Sequence, residues 1–150
     1  MKIQEAQDFF ESLKIKTNNT TEIKVYENFL YILKKLKTRE FTKDEIKDIE
    51  KELENLNLKS NPLNRKKYFK KAQIKFENYL KDKFSLITKN HYTKIGVGLG
   101  SSFGILFGII FLSSLERSMG IAIGLSIGML IGIIIGINMD TKALKAGKTI

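Results

Sequence analysis

The 21 residues from Met119 to Met139, MGIAIGLSIGMLIGIIIGINM, carry no charged side chain. A helix of this length is about 31 Å long, and the hydrocarbon core of a bilayer is about 30 Å thick. A second uncharged run of 21 residues, IGVGLGSSFGILFGIIFLSSL, covers positions 95–115. The sequence therefore contains two segments that match transmembrane helices in length and polarity.

The two segments are separated by three residues, 116–118, which include Glu116 and Arg117. One continuous helix would hold both charges in the middle of the bilayer, whereas a turn lets them reach the interface. The rest of a 150-residue chain is also too small to cover two helices that are apolar on every side. We therefore expect a transmembrane hairpin with helices at 95–115 and 119–139 and a turn at 116–118.

Glycine is concentrated in this hairpin, where nine of the chain's eleven glycines follow strict four-residue steps. Glycine is costly inside a water-exposed helix, but in a bilayer it lets two helix backbones approach closely. We call these nine positions the glycine ladder and expect them to form helix contacts: Gly96, Gly100, Gly104, Gly108, Gly120, Gly124, Gly128, Gly132 and Gly136. Each step rotates the stripe by about 40°, so we expect several neighbouring helices to share the ladder.

A second set of small residues lies two positions away from the ladder, on about the opposite side of each helix. This second small face consists of Gly98, Ser102, Ala122 and Ser126. Its members either face lipid or form another helix contact. Two small faces on each helix favour one contact within the hairpin and one between chains, which predicts a homo-oligomer or a helical membrane partner.

Residues 119–148, MGIAIGLSIGMLIGIIIGINMDTKALKAGK, resemble the glycine-zipper segments of small bacterial membrane proteins. In those segments GxxxG repeats end in an acidic residue that is followed by Ala, Lys and Gly. Residues 95–115 match by glycine spacing alone. The resemblance implies close helix packing in a bacterial membrane. Residues 1–90 lie outside it, so it assigns no functional residue.

The net charge of +10 is unevenly distributed along the chain. Residues 1–61 hold 12 basic and 12 acidic side chains, whereas residues 62–94 hold 10 and 2. Basic residues thus precede the first span, and three lysines occupy the tail at 140–150. By the positive-inside rule both termini lie in the cytoplasm. We expect a two-pass protein of the bacterial inner (cytoplasmic) membrane.

Residues 1–61 have the three- and four-residue apolar spacing of amphipathic helices. Two helices are predicted at 3–14 and 22–37. A third follows Thr42 and Glu45, which form a capping box, and its apolar stripe contains Ile46, Ile49, Leu53 and Leu56. The chain is therefore predicted to be all-α, with about four cytoplasmic helices before the hairpin.

The fourth cytoplasmic helix is predicted at 62–88, starting after Asn61, within a basic juxtamembrane region at 62–94. Its basic side chains are expected to face anionic lipid headgroups: Arg65, Lys66, Lys67, Lys70, Lys71, Lys75, Lys81 and Lys83. A solvated face on a helix that packs on the core explains the same pattern. Nucleic-acid binding is disfavoured because no zinc-finger, ribonucleoprotein or KH motif accompanies the charge.

The sequence lacks the residue patterns that identify most enzyme active sites. The chain has no Cys and a single His, and it has no phosphate-binding loop, HExxH or GxSxG motif. We therefore expect no catalytic residue, no metal and no cofactor. The sequence favours a non-enzymatic membrane protein whose hairpin anchors and oligomerises a cytoplasmic helical interaction domain. The alternative is an oligomeric pore or membrane-permeabilising protein.

Overall fold

The structure, a computed structural model, describes residues 1–60, 62–112 and 116–150, without the side chain of Arg117. These residues form six α-helices and no strand, so the all-α prediction is confirmed. The helices are α1 (Ile3–Lys16), α2 (Thr20–Lys37), α3 (Lys43–Asn55), α4 (Arg65–Phe84), α5 (His91–Phe111) and α6 (Arg117–Lys145). The chain divides into two compact units, Met1–Leu86 with Ile150, and Ile87–Thr149.

The first unit is built on a core of aromatic side chains from α1, α2 and α4. Phe10 stacks on Phe29 with ring centroids 4.4 Å apart and meets the edge of Phe69 at 5.5 Å. Phe29 also stacks on Phe76 at 5.7 Å. All four rings are fully buried, and apolar residues of α3 join the same cluster. Burial of these rings is the main stabilising contribution to the unit.

Helix α3 begins at the predicted capping box. The Thr42 hydroxyl accepts a hydrogen bond from the Glu45 amide at 3.3 Å, and the Glu45 carboxylate accepts one from the Thr42 amide at 2.8 Å. Ile49 and Leu53 are buried as predicted, but Ile46 is 37% exposed. Ile46 stays exposed because it lies in the first turn at the edge of the apolar stripe.

Helix α4 is shorter than predicted and runs over Arg65–Phe84 instead of 62–88. It begins late because Asn64 is its N-cap, with a side chain that accepts a hydrogen bond from the Lys67 amide at 3.0 Å. It ends early because Ser85 adopts a left-handed conformation with φ 55°. Asn61, the predicted boundary, lies outside the described residues.

The second unit contains the two apolar helices, whose limits also differ from the predicted ones. Helix α5 begins at His91 instead of 95 and ends at Phe111, and the predicted end at 115 lies outside the described residues. Helix α6 includes positions 117 and 118 of the predicted turn. It also includes 140–145 of the predicted tail, and it ends before Gly147, whose φ of 67° suits glycine.

Helices α5 and α6 are each long and apolar enough to cross a membrane. In their most apolar 18-residue windows only 11% and 22% of the residues are buried. Large side chains such as Phe103 and Leu130 are 67% and 60% exposed. The apolar surface of this unit is thus turned outward, unlike that of a soluble core helix, which is mostly buried.

Candidate helix-packing site

The glycine ladder lies where the backbones of α5 and α6 meet. We describe each contact by the atom that a Cβ would meet if the glycine carried a side chain. At Gly96 a Cβ would overlap the carbonyl oxygen of Gly132, and at Gly104 it would overlap that of Gly124. The same overlap occurs for Gly100 against Gly128 and for Gly108 against Gly120.

The contact is reciprocal, because the glycines of α6 face backbone atoms of α5 in turn. A Cβ at Gly124, Gly128 or Gly132 would overlap the carbonyl oxygen of its partner glycine. At Gly136 it would lie 2.5 Å from the Cα of Thr93. At Gly120 the nearest atom, the carbonyl oxygen of Leu112, would lie at 3.0 Å. No side chain fits between the two helices, which brings Cα–H groups and carbonyl oxygens into van der Waals contact.

One partner helix contacts the whole ladder, which differs from the expectation that several helices would share it. Along α5 the paired glycines rise in number by four at each step, while their partners in α6 fall by four, as in an antiparallel pair. That expectation assumed a straight partner. Because a four-residue repeat is longer than the 3.6 residues of a helical turn, two helices that wind around each other in a right-handed sense keep both stripes in register.

The second small face is exposed and is not part of this contact. A Cβ at Gly98 would meet nothing within 4 Å. The Ser102 hydroxyl donates a hydrogen bond to the Gly98 carbonyl at 3.0 Å, and the Ser126 hydroxyl donates one to the Ala122 carbonyl at 2.8 Å. Both hydroxyls are thus satisfied within their own helix. The structure brings none of the four residues to another helix.

Asp140 connects the C-terminal part of α6 to the first turn of α5. One carboxylate oxygen accepts a hydrogen bond from the Tyr92 amide at 3.0 Å. The other accepts hydrogen bonds from the Thr93 amide at 2.9 Å and from the Thr93 hydroxyl at 2.7 Å. Asn90, the N-cap of α5, makes no side-chain capping bond. Asp140 therefore supplies the cap from another helix, next to the positive end of the helix dipole.

The sequence prediction missed the role of Asp140, although the spacing contained the signal. Asp140 follows Gly136 by four residues and therefore continues the glycine ladder by one step. A ladder that faces a partner helix predicts that its next member also faces that helix. A carboxylate at this step accepts hydrogen bonds from the free amides in the first turn of α5, whereas a glycine has no side chain that could do so.

An apolar groove of about 600 Å³ lies beside the glycine ladder within the second unit. Glycines of both helices form its floor. Its walls include Phe103 and Phe107 of α5 and Ile127 and Ile131 of α6. In a bilayer such a groove is filled by lipid chains or by another helix.

The basic side chains of α4 fall into two groups in the structure. Six are exposed, namely Lys66, Lys67, Lys70, Lys71, Lys75 and Lys83, whereas Arg65 and Lys81 are half-buried. Lys83 forms an ion pair with Asp48 of α3 at 2.5 Å. Their hydrogen bond raises the pKa of the Lys83 ammonium and lowers the pKa of the Asp48 carboxyl. Lys83 is thus engaged with α3, because it projects from the side of α4 that packs on this helix.

The structure provides no metal-binding cluster in the part of the chain that it describes, since no three His, Asp or Glu side chains come together there. The comparisons with known proteins add no relative. No family model, no curated protein and no solved structure matches the chain.

Proposed function

We propose that this chain is a non-enzymatic, two-pass protein of the bacterial inner (cytoplasmic) membrane. Its glycine-packed hairpin anchors the helical unit formed by α1–α4 at the cytoplasmic face and assembles it with copies of itself. The observation that carries the proposal is the contact between the glycine backbones of α5 and α6, combined with the exposed apolar side chains around it. An apolar surface of this kind is stable in lipid and is a liability in water.

The proposed topology follows from the basic residues that flank the two helices. Ten basic residues lie at 62–94, before the first span, and Lys142, Lys145 and Lys148 follow the second. The stretch 116–118 between the two uncharged segments carries one basic residue, Arg117. This asymmetry places both termini in the cytoplasm and the connection on the other side of the membrane.

Single cysteines test this topology cleanly because the chain has none of its own. In spheroplasts we expect a membrane-impermeant maleimide to label Glu116→Cys without lysis, and to label Lys148→Cys only after lysis. The protein must also stay in the membrane fraction after extraction with alkaline carbonate. Labelling of Lys148→Cys in intact spheroplasts, or release by carbonate, would contradict the proposal.

Assembly between copies needs a surface other than the glycine ladder, because the ladder is occupied within the hairpin. We propose that the second small face forms this contact. Its exposed members lie along both helices, and small residues allow the close approach on which helix association in lipid depends.

Crosslinking in native membranes tests the contact between copies. We expect the double variant Gly98→Leu, Ala122→Leu to lose most of the crosslinked oligomer, since both side chains would hold the helices apart. Ile137→Phe is the matched control, because it enlarges an exposed residue outside both small faces and outside the apolar groove. Equal crosslinking in the double variant and the wild type would exclude this contact.

The alternative of an oligomeric pore would place Ser102 and Ser126 in a water-filled lumen. Their hydroxyls already donate to carbonyls of their own helices, so they are compatible with lipid and need no water. We therefore favour assembly without a pore. Purified oligomer is expected to produce no conductance in planar bilayers, and reproducible single-channel currents would show that the alternative is right.

A further inference from the structure

The exposed side of α4 combines a dense positive charge with one exposed apolar residue. Residues 66–75, KKYFKKAQIK, contain five lysines and no acidic residue. All five lysines are exposed, and within the described residues none of them forms an ion pair. Elsewhere in the unit some lysines, such as Lys14 and Lys34, pair with carboxylates.

Ile74 lies at the C-terminal end of this basic surface and is 49% exposed. Residues three, four and seven positions apart share one side of a helix. On its N-terminal side Ile74 is therefore flanked by Lys71, Lys70 and Lys67, and Lys75 follows it directly. On its C-terminal side lie Glu77 and Asn78. The opposite side of α4 is the side that is buried, at Phe69, Ala72, Phe76 and Leu80. We call Lys67, Lys70, Lys71, Ile74 and Lys75 the basic face.

We propose that the basic face binds the anionic headgroups of the membrane in which α5 and α6 are anchored, with Ile74 inserted between the headgroups. Lysines attract anionic lipids, and an apolar residue among them adds burial at the boundary between headgroups and acyl chains. The proposal rests on the proposed function, because it requires the second unit to span a membrane.

The short connection between α4 and α5 favours a membrane over an acidic protein or a nucleic acid as the partner. Six residues separate Phe84, the last residue of α4, from His91, the first residue of α5. A connection of that length spans at most about 25 Å. Once α5 is inserted, the basic face thus remains at a high effective concentration near the lipid surface, whereas any soluble partner would have to be recruited.

The test uses the full chain with Ile74→Cys, labelled with an environment-sensitive fluorophore and placed in lipid nanodiscs. We expect a blue shift of the emission in nanodiscs that contain phosphatidylglycerol, relative to pure phosphatidylcholine. The shift should disappear at high salt, which screens the headgroup charge. Ile46→Cys provides the matched control, because Ile46 is exposed to a similar extent on α3, and its emission should be the same in both lipids.

Charge variants separate the basic face from the overall charge of the protein. Lys67→Gln, Lys70→Gln, Lys71→Gln and Lys75→Gln together should abolish the shift. An equal change in net charge at Lys16, Lys24, Lys43 and Lys51, all exposed, should preserve it. Loss of the shift in both variants would mean that the effect is general attraction, and the basic face would then have no specific role.

Two further outcomes identify the step that fails. If the protein resists carbonate extraction but Ile74→Cys gives the same emission in both lipids, the inference is wrong while the membrane anchor stands. If carbonate releases the protein, the proposed function itself fails. A shift that is caused by an added single-stranded oligonucleotide, and not by phosphatidylglycerol, would identify a nucleic acid as the partner and overturn the inference.

Discussion

Asp140 is one carboxylate that accepts three hydrogen bonds from the first turn of another helix. The amides at the start of a helix have no partner within that helix, and an unpaired amide close to lipid is more costly than one in water. Asp140 therefore joins the two helices at the end of their interface and also satisfies amides that a bilayer could not satisfy. Glycine packing alone would leave these amides without a carboxylate partner.

Replacing Asp140 with Ala is expected to lower the free energy of unfolding of the hairpin by about 1–2 kcal/mol, since a charged cap is lost. Hydrogen exchange of the Tyr92 and Thr93 amides in detergent micelles should accelerate. Thr141→Ala is the matched control, because its hydroxyl donates to the Ile137 carbonyl within α6 and its loss should change neither amide. Equal exchange rates in wild type and Asp140→Ala would show that the contact adds nothing.

At the scale of the helical elements, the two kinds of glycine in α5 differ in what they face. Gly104 faces the backbone of α6, whereas Gly98, six residues earlier, faces open space. The same added methyl group therefore has opposite consequences at the two positions. At Gly104 the methyl group forces the helices apart. At Gly98 it reduces the conformational freedom of the unfolded backbone, which is what makes glycine unfavourable in helices.

We expect Gly104→Ala to destabilise the hairpin by about 1–3 kcal/mol, and Gly98→Ala to be neutral or stabilising by up to about 1 kcal/mol. Titration with SDS in mixed micelles measures this difference through energy transfer between dyes on Lys94→Cys and Lys142→Cys. If both variants unfold at the same SDS fraction, close packing at Gly104 is not what holds the helices together.

The type of each element could be predicted from the sequence, but not where each one ends. Apolar periodicity and the Thr42 capping box identified helices because they depend on nearby residues. The start of α4 was predicted at 62, but the side-chain cap formed by Asn64 moves it to Arg65. The Asp140 contact joins residues 47 and 48 positions apart, so apolar periodicity could not reveal it, and its one signal was the continuation of the glycine ladder.

At the scale of the whole molecule, the chain consists of two units with different sources of stability. The first unit buries aromatic rings from several helices, and the hydrophobic effect drives that burial. The second packs backbone on backbone and exposes its apolar side chains, so under the proposed function we expect its stability to depend on a lipid or detergent environment. A denaturant that weakens the hydrophobic effect should therefore act on the two units differently.

We predict two separate unfolding transitions for the full chain in mild detergent. Urea should first remove the near-ultraviolet circular dichroism of the aromatic core in the first unit. About two-fifths of the helical far-ultraviolet signal should then remain, because α5 and α6 hold 21 and 29 of the helical residues, against 14, 18, 13 and 20 in the other four helices. A single transition that removes both signals together would contradict this description.

The contact between glycines has a consequence for how the hairpin responds to change. A side chain that packs in a core loses rotamer freedom when it becomes ordered, but glycine has no side chain and loses none. The interface between α5 and α6 therefore forms without that entropic cost, and it also has no side chains that can rearrange to absorb a substitution. Each added atom displaces a whole helix, so variation should be tolerated hardly at all along the glycine ladder and far more freely on the outer surfaces away from the second small face.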